Sequence, residues 1–279
     1  MRMTNVVGLL LFLYSWLALA TPLPQDNPVP GGIAVVPIEV KASGRPDVFF
    51  QNRPVMRLKK ESSWYAVVGI PLSVKPGDHE LEIADAAGNI LAVRFAVNNK
   101  SYASQHITLK NKKMVDPGKK ELERIWREKK IINKALNSWN ENIAWETYFL
   151  KPANGTLRDN FGLRRFFNKK PRNPHSGIDI SAPKDSPVIA PAAGTVIKTG
   201  HYYFNGKTIF LDHGQGLISM FVHLNKINVK DGQKVARGEA IGKIGMTGRT
   251  TGPHLHWGLS LNRAMINPLL FFKSGVDTR

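Results

Sequence analysis

The stretch that decides the fold opens with His-Ser-Gly-Ile-Asp at 175–179 and closes with Pro-His-Leu-His-Trp at 253–257. Between these segments lies Met-Phe-Val-His-Leu at 220–224. The chain has 8 histidines, and these three short segments hold four of them. Histidines gathered in this way, with one carboxylate beside them, predict a zinc site accompanied by histidines that can move protons.

The spacing of these residues constrains the local backbone. His175 and Asp179 are four residues apart, but a preceding proline and Gly177 argue against a helix. A straight strand would separate the two Cα atoms by about 13 Å, which is far for one shared ion. We therefore expect a bend at Gly177. His254 and His256 are two apart, so a strand would project both imidazoles to one side.

Imidazole and carboxylate ligands without thiolate suit zinc, and three protein ligands leave a position for water. Such an ion lowers the pKa of water to about 7 and polarises a carbonyl, which is sufficient for amide hydrolysis. A further histidine can accept the proton or stabilise the oxyanion. Spacing alone does not say which histidine binds the metal or whether His201 takes part. His213, at the end of a predicted strand, is expected to be structural or to support a ligand.

Composition limits the class of protein. The chain has 279 residues, of which 42% are hydrophobic and 22% charged, enough for two globular domains. It has no cysteine, which excludes disulfides, a thiolate metal site and a lipidated N-terminal cysteine. A formal net charge of +18 favours a polyanionic neighbour: nucleic acid, an anionic membrane or an acidic wall polymer.

The N-terminal residues favour one of these neighbours. Arg2 precedes an apolar run from Val6 to Ala20, which ends in Ala-Leu-Ala at 18–20. This pattern predicts a cleaved signal peptide over residues 1–20, with an uncleaved anchor as the alternative. Export to the periplasm, or secretion to the wall, argues against nucleic acid as a partner and favours anionic cell-envelope polymers.

The remaining chain divides into four regions. Residues 21–32, rich in proline and glycine, predict a flexible leader. Short apolar runs between turn signals, among them Ile90–Val97 and His106–Leu109, predict a small β-sandwich over 33–110. Residues 111–142 predict a basic linker helix, and 143–279 a turn-rich antiparallel sheet.

The linker helix has a start signal and two faces. Asp116 and Pro117 predict an N-cap followed by the first helical residue. Its opposite face is basic and could meet an anionic wall or simply be solvated. The apolar stripe predicted to pack on one domain consists of Leu122, Ile125, Trp126, Ile132, Ala135, Leu136 and Trp139.

The C-terminal part, over about residues 150–272, resembles the lysostaphin/LytM-type zinc peptidases of bacterial peptidoglycan. The matching segments are Asn-Phe-Gly-Leu-Arg (160–164), His-Ser-Gly-Ile-Asp (175–179), Ala-Pro-Ala-Ala-Gly-Thr-Val (190–196), Asp-His-Gly (212–214), Phe-Val-His-Leu (221–224), Gly-Met-Thr-Gly-Arg (245–249) and Gly-Pro-His-Leu-His-Trp (252–257). The resemblance implies a mainly β fold in which a curved antiparallel sheet holds a peptide in its groove.

Carried over residue by residue, the resemblance makes His175, Asp179 and His256 the ligands of one zinc ion per chain. His223 and His254 become the catalytic pair. Two residues of the matching segments, Asn160 and Arg249, are predicted to bind substrate.

The resemblance implies an endopeptidase acting on peptidoglycan stem peptides or cross-links, and the envelope-protease-like N-terminal part favours D,D-endopeptidase activity in the periplasm. The alternative is a non-catalytic wall-binding protein that activates another hydrolase, although all five site positions are filled here. A dependent hypothesis is autoinhibition, in which region 33–142 covers the groove and a polar side chain takes the fourth zinc position.

Overall fold

The computed structural model describes residues 22–39, 45–84, 89–145 and 148–273. The predicted signal peptide at 1–20 lies outside these residues. The described chain consists mainly of antiparallel strands with one α-helix, which confirms the predicted fold class. Within the described ranges, no helix is both long and apolar enough to cross a membrane.

The strands of the N-terminal half are β1 (Ile33–Ile38), β2 (Asp47–Phe50), β3 (Arg53–Pro54), β4 (Met56–Lys60), β5 (Ser63–Gly69), β6 (Gly77–Ala84), β7 (Ile90–Val97) and β8 (Ser104–Ile107). The first seven form two small sheets, ordered β1-β5-β4 and β3-β2-β6-β7. Val36 and Val68 from the first sheet share a core with Phe50, Leu81 and Ile83 from the second. This shared core confirms the predicted sandwich.

The strands of the C-terminal half are β9 (Thr156–Arg158), β10 (Arg164–Phe167), β11 (Lys170–Pro171), β12 (Ile178–Ser181), β13 (Pro187–Ile189), β14 (Gly194–Tyr202), β15 (Gly206–Asp212), β16 (Ile218–Ile227), β17 (Lys234–Val235), β18 (Ala240–Ile244), β19 (Leu255–Leu261) and β20 (Ala264–Ile266). Most of them form one large sheet ordered β17-β14-β15-β16-β19-β12-β9, to which β13, β18 and β20 attach. Every pairing within this sheet is antiparallel. The other two strands, β10 and β11, form a separate three-stranded sheet with β8.

The sheet β1-β5-β4 is buried on both faces. In β5, Ala66 and Val68 point into the sandwich core, whereas Val67 packs into the large core of the C-terminal half. Alternate residues of a strand point to opposite faces, so an unbroken apolar run serves two cores. The amide of Asn262 closes this junction by bonding both backbone groups of Gly69, at 2.6 and 2.9 Å.

Strand β8 lies before the predicted boundary at residue 110 but bonds to a strand beyond it. It pairs in parallel with β10 of the C-terminal half, with Gln105 opposite Arg165 and Ile107 opposite Phe167. The sequence predicts this segment as part of the N-terminal sandwich. Its hydrogen bonds place it in the three-stranded sheet with β10 and β11 instead.

Residues 22–32 are held in place, unlike the flexible leader that their composition predicts. Gln25 bonds the backbone of Leu270 and Phe272, and the hydroxyl of Tyr102 donates to Pro30. The segment is therefore a bound one, since further backbone bonds join Gly31 to Ile70 and Asn27 to Ile33.

The α-helix of the described residues, α1 (Lys119–Leu136), begins two residues later than an N-cap at Asp116 requires. Its N-cap is Gly118, whose lack of a side chain leaves the cap without a side-chain hydrogen bond. The predicted cap was wrong because Asp116 pairs with Lys170 at 2.7 Å and with Arg172 at 3.4 Å.

The apolar stripe of α1 is buried over only half of its length. Ile132, Ala135 and Leu136 pack against a cluster on the outer face of the C-terminal sheet. Leu122 and Trp126 are 43% and 71% exposed, so that part of the predicted stripe does not pack on either half of the described structure.

Candidate metal centre

Two of the predicted ligands face each other across the C-terminal sheet. Asp179 on β12 lies directly opposite His256 on β19, and directly opposed residues project from the same face of a sheet. His175 precedes β12 and reaches the same point. Its Nε2 lies 3.2 Å from Asp179 Oδ1 and 2.8 Å from His256 Nδ1, which itself lies 3.0 Å from Asp179 Oδ1.

The bend that brings His175 to Asp179 lies at Gly177, where the sequence predicts it. The reason for glycine is close approach. A Cβ atom there would lie 2.5 Å from the carbonyl oxygen of Trp257 and 2.8 Å from Nε2 of His256. Any side chain would therefore push against a ligand, so this position couples the bend to the geometry of the cluster.

The donor set fits zinc. Among the described residues, His175, Asp179 and His256 form the group whose ligand atoms all lie within 4.8 Å of one another. A carbonyl oxygen only accepts hydrogen bonds, so Nδ1 of His175 must donate to Asn160 O at 2.8 Å, leaving a lone pair on Nε2. Two imidazole nitrogens and one carboxylate oxygen match a three-ligand zinc site.

Electrostatics keep these ligands in their metal-binding protonation states. Burial raises the pKa of Asp179, but hydrogen bonds with His175 and His256 outweigh it and hold the pKa well below its usual range. Burial lowers the pKa of His256 to about 4. An ionised carboxylate and a neutral imidazole are the forms that bind a metal.

His223 reaches the site through an irregular backbone. It has a φ of 66°, in the left-handed region, and lies where the pairing of β15 with β16 shifts register. Phe221 and Leu224 both pack in the main core although they are three positions apart, which a regular strand would not allow. The bulge therefore interrupts the regular in-and-out alternation of side chains along β16, so that His223 faces the groove.

His223 and His254 are oriented alike. Nδ1 of His223 donates to Thr247 O at 2.8 Å, and Nδ1 of His254 donates to Gly252 O at 2.9 Å. In the neutral tautomer that these bonds select, each ring carries its proton on Nδ1 and a lone pair on Nε2. The ring centroids lie 4.9 Å apart, and Nε2 of His254 lies 3.8 Å from Asp179 Oδ1. Burial lowers the pKa of His223 to about 3.

Asn160 and Arg249, the predicted substrate-binding residues, both line the groove but are already engaged. Asn160 Nδ2 donates to Asp179 Oδ2 at 2.8 Å, and Asn160 Oδ1 accepts from the backbone N–H of Asp179 at 3.1 Å. The guanidinium of Arg249 lies between the rings of Phe167 and Phe204, 4.6 and 4.1 Å from their centroids. Burial lowers its pKa to about 10, so it stays charged at neutral pH.

The cluster opens into a groove of about 280 Å³. One wall is the loop 249–254, and the other comes from β8 and the residues after it, through Gln105, Ile107 and Leu109. Sequence reasoning missed this second wall, together with Arg158 and Arg165. The residues of β8 carry no motif, and only their pairing with β10 brings them here.

The remaining histidines lie outside the groove. His213 is fully buried, donates from Nδ1 to Ala193 O at 2.8 Å and accepts from the hydroxyl of Ser219 at 2.9 Å. Burial lowers its pKa to about 4. It is structural, as its position at a strand end suggested. His201 is exposed on β14, while His106 stacks on Phe166.

A two-imidazole, one-carboxylate cluster in the groove of an antiparallel sheet is the arrangement of a zinc metallopeptidase. The sequence profile of Peptidase family M23 matches residues 173–268, and that of the Peptidase family M23 N-terminal domain matches residues 26–100. A crystal structure of a peptidase M23 from Pseudomonas aeruginosa is 42% identical, with a TM-score of 0.73 over 88% of this chain and 95% of that one. The chain therefore belongs to peptidase family M23, which confirms the resemblance.

Curated relatives match less than half of the chain. The peptidoglycan DD-endopeptidase ShyA of Vibrio cholerae is 39% identical over 114 residues, covering 40% of this chain and 26% of the relative. The DD-carboxypeptidase/endopeptidase Mpg of Neisseria meningitidis is 38% identical over 95 residues, covering 34% and 22%. The chain thus spans about a quarter of the length of these relatives.

Proposed function

We propose that this chain is an exported zinc endopeptidase that hydrolyses peptide cross-links of bacterial peptidoglycan, with D,D-endopeptidase specificity. The observation that carries the proposal is the meeting of His175, Asp179, His256, His223 and His254 in one open groove. The printed activities of ShyA and Mpg support the choice of substrate.

We assign His175, Asp179 and His256 as zinc ligands. Bound there, zinc supplies a Lewis acid that polarises the scissile carbonyl and acidifies water. Asn160 positions two of these ligands, because its amide bonds Asp179 and its backbone carbonyl holds Nδ1 of His175.

His223 and His254 handle the proton and the oxyanion. Each presents only a lone pair at Nε2, so the first step open to either ring is to accept a proton from the attacking water. Once protonated, Nε2–H can donate to the oxyanion or pass the proton to the leaving amine. The backbone carbonyls of Thr247 and Gly252 stabilise the imidazolium during this step, because they already accept from Nδ1.

The test uses purified residues 21–279 and muropeptide dimers as substrate. We expect about one bound zinc per chain and release of monomers with new D-alanine carboxyl ends, identified by mass spectrometry of the digest. A protein that binds zinc and cuts no dimer, but stimulates an amidase in trans, would contradict the proposal in favour of the activator alternative.

We also propose that region 33–142 restricts access to the groove. Gln105, Ile107 and Leu109 form one of its walls. Replacing Ile107 and Leu109 by alanine should widen the groove and speed cleavage of intact peptidoglycan relative to a soluble dimer. An unchanged ratio of the two rates would count against restriction.

Export to the periplasm rests on the sequence of residues 1–20. We expect the mature protein to begin at Thr21 and to fractionate with the envelope, where the basic face of α1 can meet anionic polymers. N-terminal sequencing and cell fractionation check both points, and a retained Met1 would contradict cleavage.

A further inference from the structure

The groove has an excess of positive charge that the zinc ligands do not use. Its described lining carries three guanidinium groups, those of Arg158, Arg165 and Arg249, and one carboxylate, that of Asp179. Asp179 is also the carboxylate of the metal cluster, so its charge is directed at the ion. The pKa of Arg249 is lowered first by burial and then by repulsion from Arg165 and from Arg172, which lies outside the groove lining.

The three arginines differ in how many donors they leave free. Arg249 donates from Nη1 to Met114 O at 3.3 Å, and the rings of Phe167 and Phe204 hold its guanidinium in place. Nε of Arg165 donates to Gln105 Oε1 at 3.2 Å. Nη2 of Arg165 lies 3.6 Å from Asp179 Oδ2, which is too far for a direct hydrogen bond. Its two Nη groups therefore remain available, although the side chain is only 21% exposed.

Arg158, like Arg165, lines the groove next to Asp179. On β9 it is the direct antiparallel partner of Asp179, so both side chains rise from the same face of the sheet. Its guanidinium has no hydrogen-bond partner among the described residues. The row across the sheet is thus Arg158, Asp179, His256 and Val222, the residue that precedes His223.

We propose that Arg158 and Arg165 form a carboxylate-binding subsite, so that this groove selects cross-links bearing a free carboxylate next to the scissile amide. The proposal rests on the proposed peptidoglycan hydrolysis and names the chemistry of its substrate. Guanidinium groups bind carboxylates through paired, charge-assisted hydrogen bonds, for which a carboxamide or a glycine bridge offers no equivalent. A carboxylate held beside Asp179 would place the adjoining amide over the metal cluster.

The experiment compares two muropeptide dimers that differ in one group. In one, the acceptor diamino acid carries a free carboxylate, and in the other that group is a carboxamide. We expect the zinc-loaded protein to prefer the carboxylate by about 10–100-fold in kcat/KM, the range that a charge-assisted hydrogen bond provides. Arg158→Gln should reduce this preference to below about threefold.

The matched control is Arg164→Gln. Arg164 neighbours Arg165 on β10 and is exposed, but it does not line the groove. It removes the same charge from the same region, so the preference should persist. An equal loss in both variants would show long-range attraction to any anion and would overturn the subsite.

Binding separates the subsite from the hydrolysis on which it rests. The Kd of each dimer for the zinc-loaded protein is measured by calorimetry under conditions without turnover. Tighter binding of the carboxylate dimer, lost in Arg158→Gln, supports the subsite even if neither dimer is cut, in which case the proposed function alone fails. Equal Kd and equal kcat/KM for the two dimers overturn the subsite while leaving hydrolysis intact.

Discussion

The three predicted zinc ligands and the two predicted catalytic histidines are held in different ways. Asp179 and His256 come from regular, directly opposed strands, and together with His175 they bond to one another. His223 and His254 come from a bulge and from the end of a loop, and each is tethered separately to a backbone carbonyl. The ligands form one coupled unit, whereas the catalytic histidines can be altered singly.

The difference suits the two tasks. A metal site needs several donors fixed relative to one another, which strand register provides. A proton carrier needs one free nitrogen at a fixed tautomer, which a single backbone hydrogen bond provides. Removing one ligand should therefore disable the whole unit, but removing one catalytic histidine should leave the metal in place.

The largest effect is expected for Asp179→Ala. Loss of the carboxylate removes a ligand and the acceptor shared by both ligand histidines, so bound zinc should fall below about 0.1 per chain and hydrolysis should vanish. Metal analysis and dimer cleavage measure both. Asp159→Asn, which changes an exposed carboxylate, serves as the control. Zinc retained at wild-type stoichiometry in Asp179→Ala would contradict the statement that the three ligands act as one unit.

His223→Ala should lower kcat by about 10²–10⁴-fold with bound zinc unchanged, because general acid–base groups contribute in that range. Exposed His201, replaced by alanine, controls for removal of an imidazole from the surface. If zinc leaves together with activity, His223 belongs to the coupled unit and the division proposed here is incorrect.

Asn160→Ala should weaken zinc binding by about 10–100-fold with little change in KM, as expected for a residue that orients a ligand. Competition with a chelator gives the affinity. A raised KM with unaltered zinc affinity would instead support the substrate-binding role predicted from sequence.

His213 sharpens the comparison, since it is as buried as the ligands but lies outside the groove. Its folded pKa of about 4 is below the usual 6.5, so the unfolded chain takes up its proton first and stability falls as pH drops from 6.5 towards 4. The linkage amounts to about 2 kcal/mol between pH 7 and pH 5. His213→Gln should flatten the pH profile of unfolding free energy by that amount; an identical slope would contradict it.

The sequence predicted secondary structure best where residues close together in the chain determine the conformation. The run Ile90–Val97 is a strand with the predicted bounds, and the bend at Gly177 follows from two residues that must meet. The family resemblance, and not spacing, divided the four histidines of the groove. The assignment of roles to them remains a prediction.

The predictions that were wrong concerned segments whose structure depends on residues far away in the chain. Asp116 is a residue type that commonly caps helices, but its carboxylate forms ion pairs with Lys170 and Arg172. The pairing of β8 with β10 joins segments about sixty residues apart, a contact for which neither segment carries a local signal. The bulge at His223 likewise arises from a register shift against β15.

The double burial of the sheet β1-β5-β4 has a consequence for protein engineering. Strand β5 contacts both β19 and β20, so a fragment cut near residue 143 would leave an apolar face of the C-terminal sheet wet and would also lose the groove wall formed by β8. Such a fragment would tend to self-associate. Chimaeras of this chain should therefore keep the two halves together and exchange only individual loops. The apparent domain boundary does not separate two independently folding units.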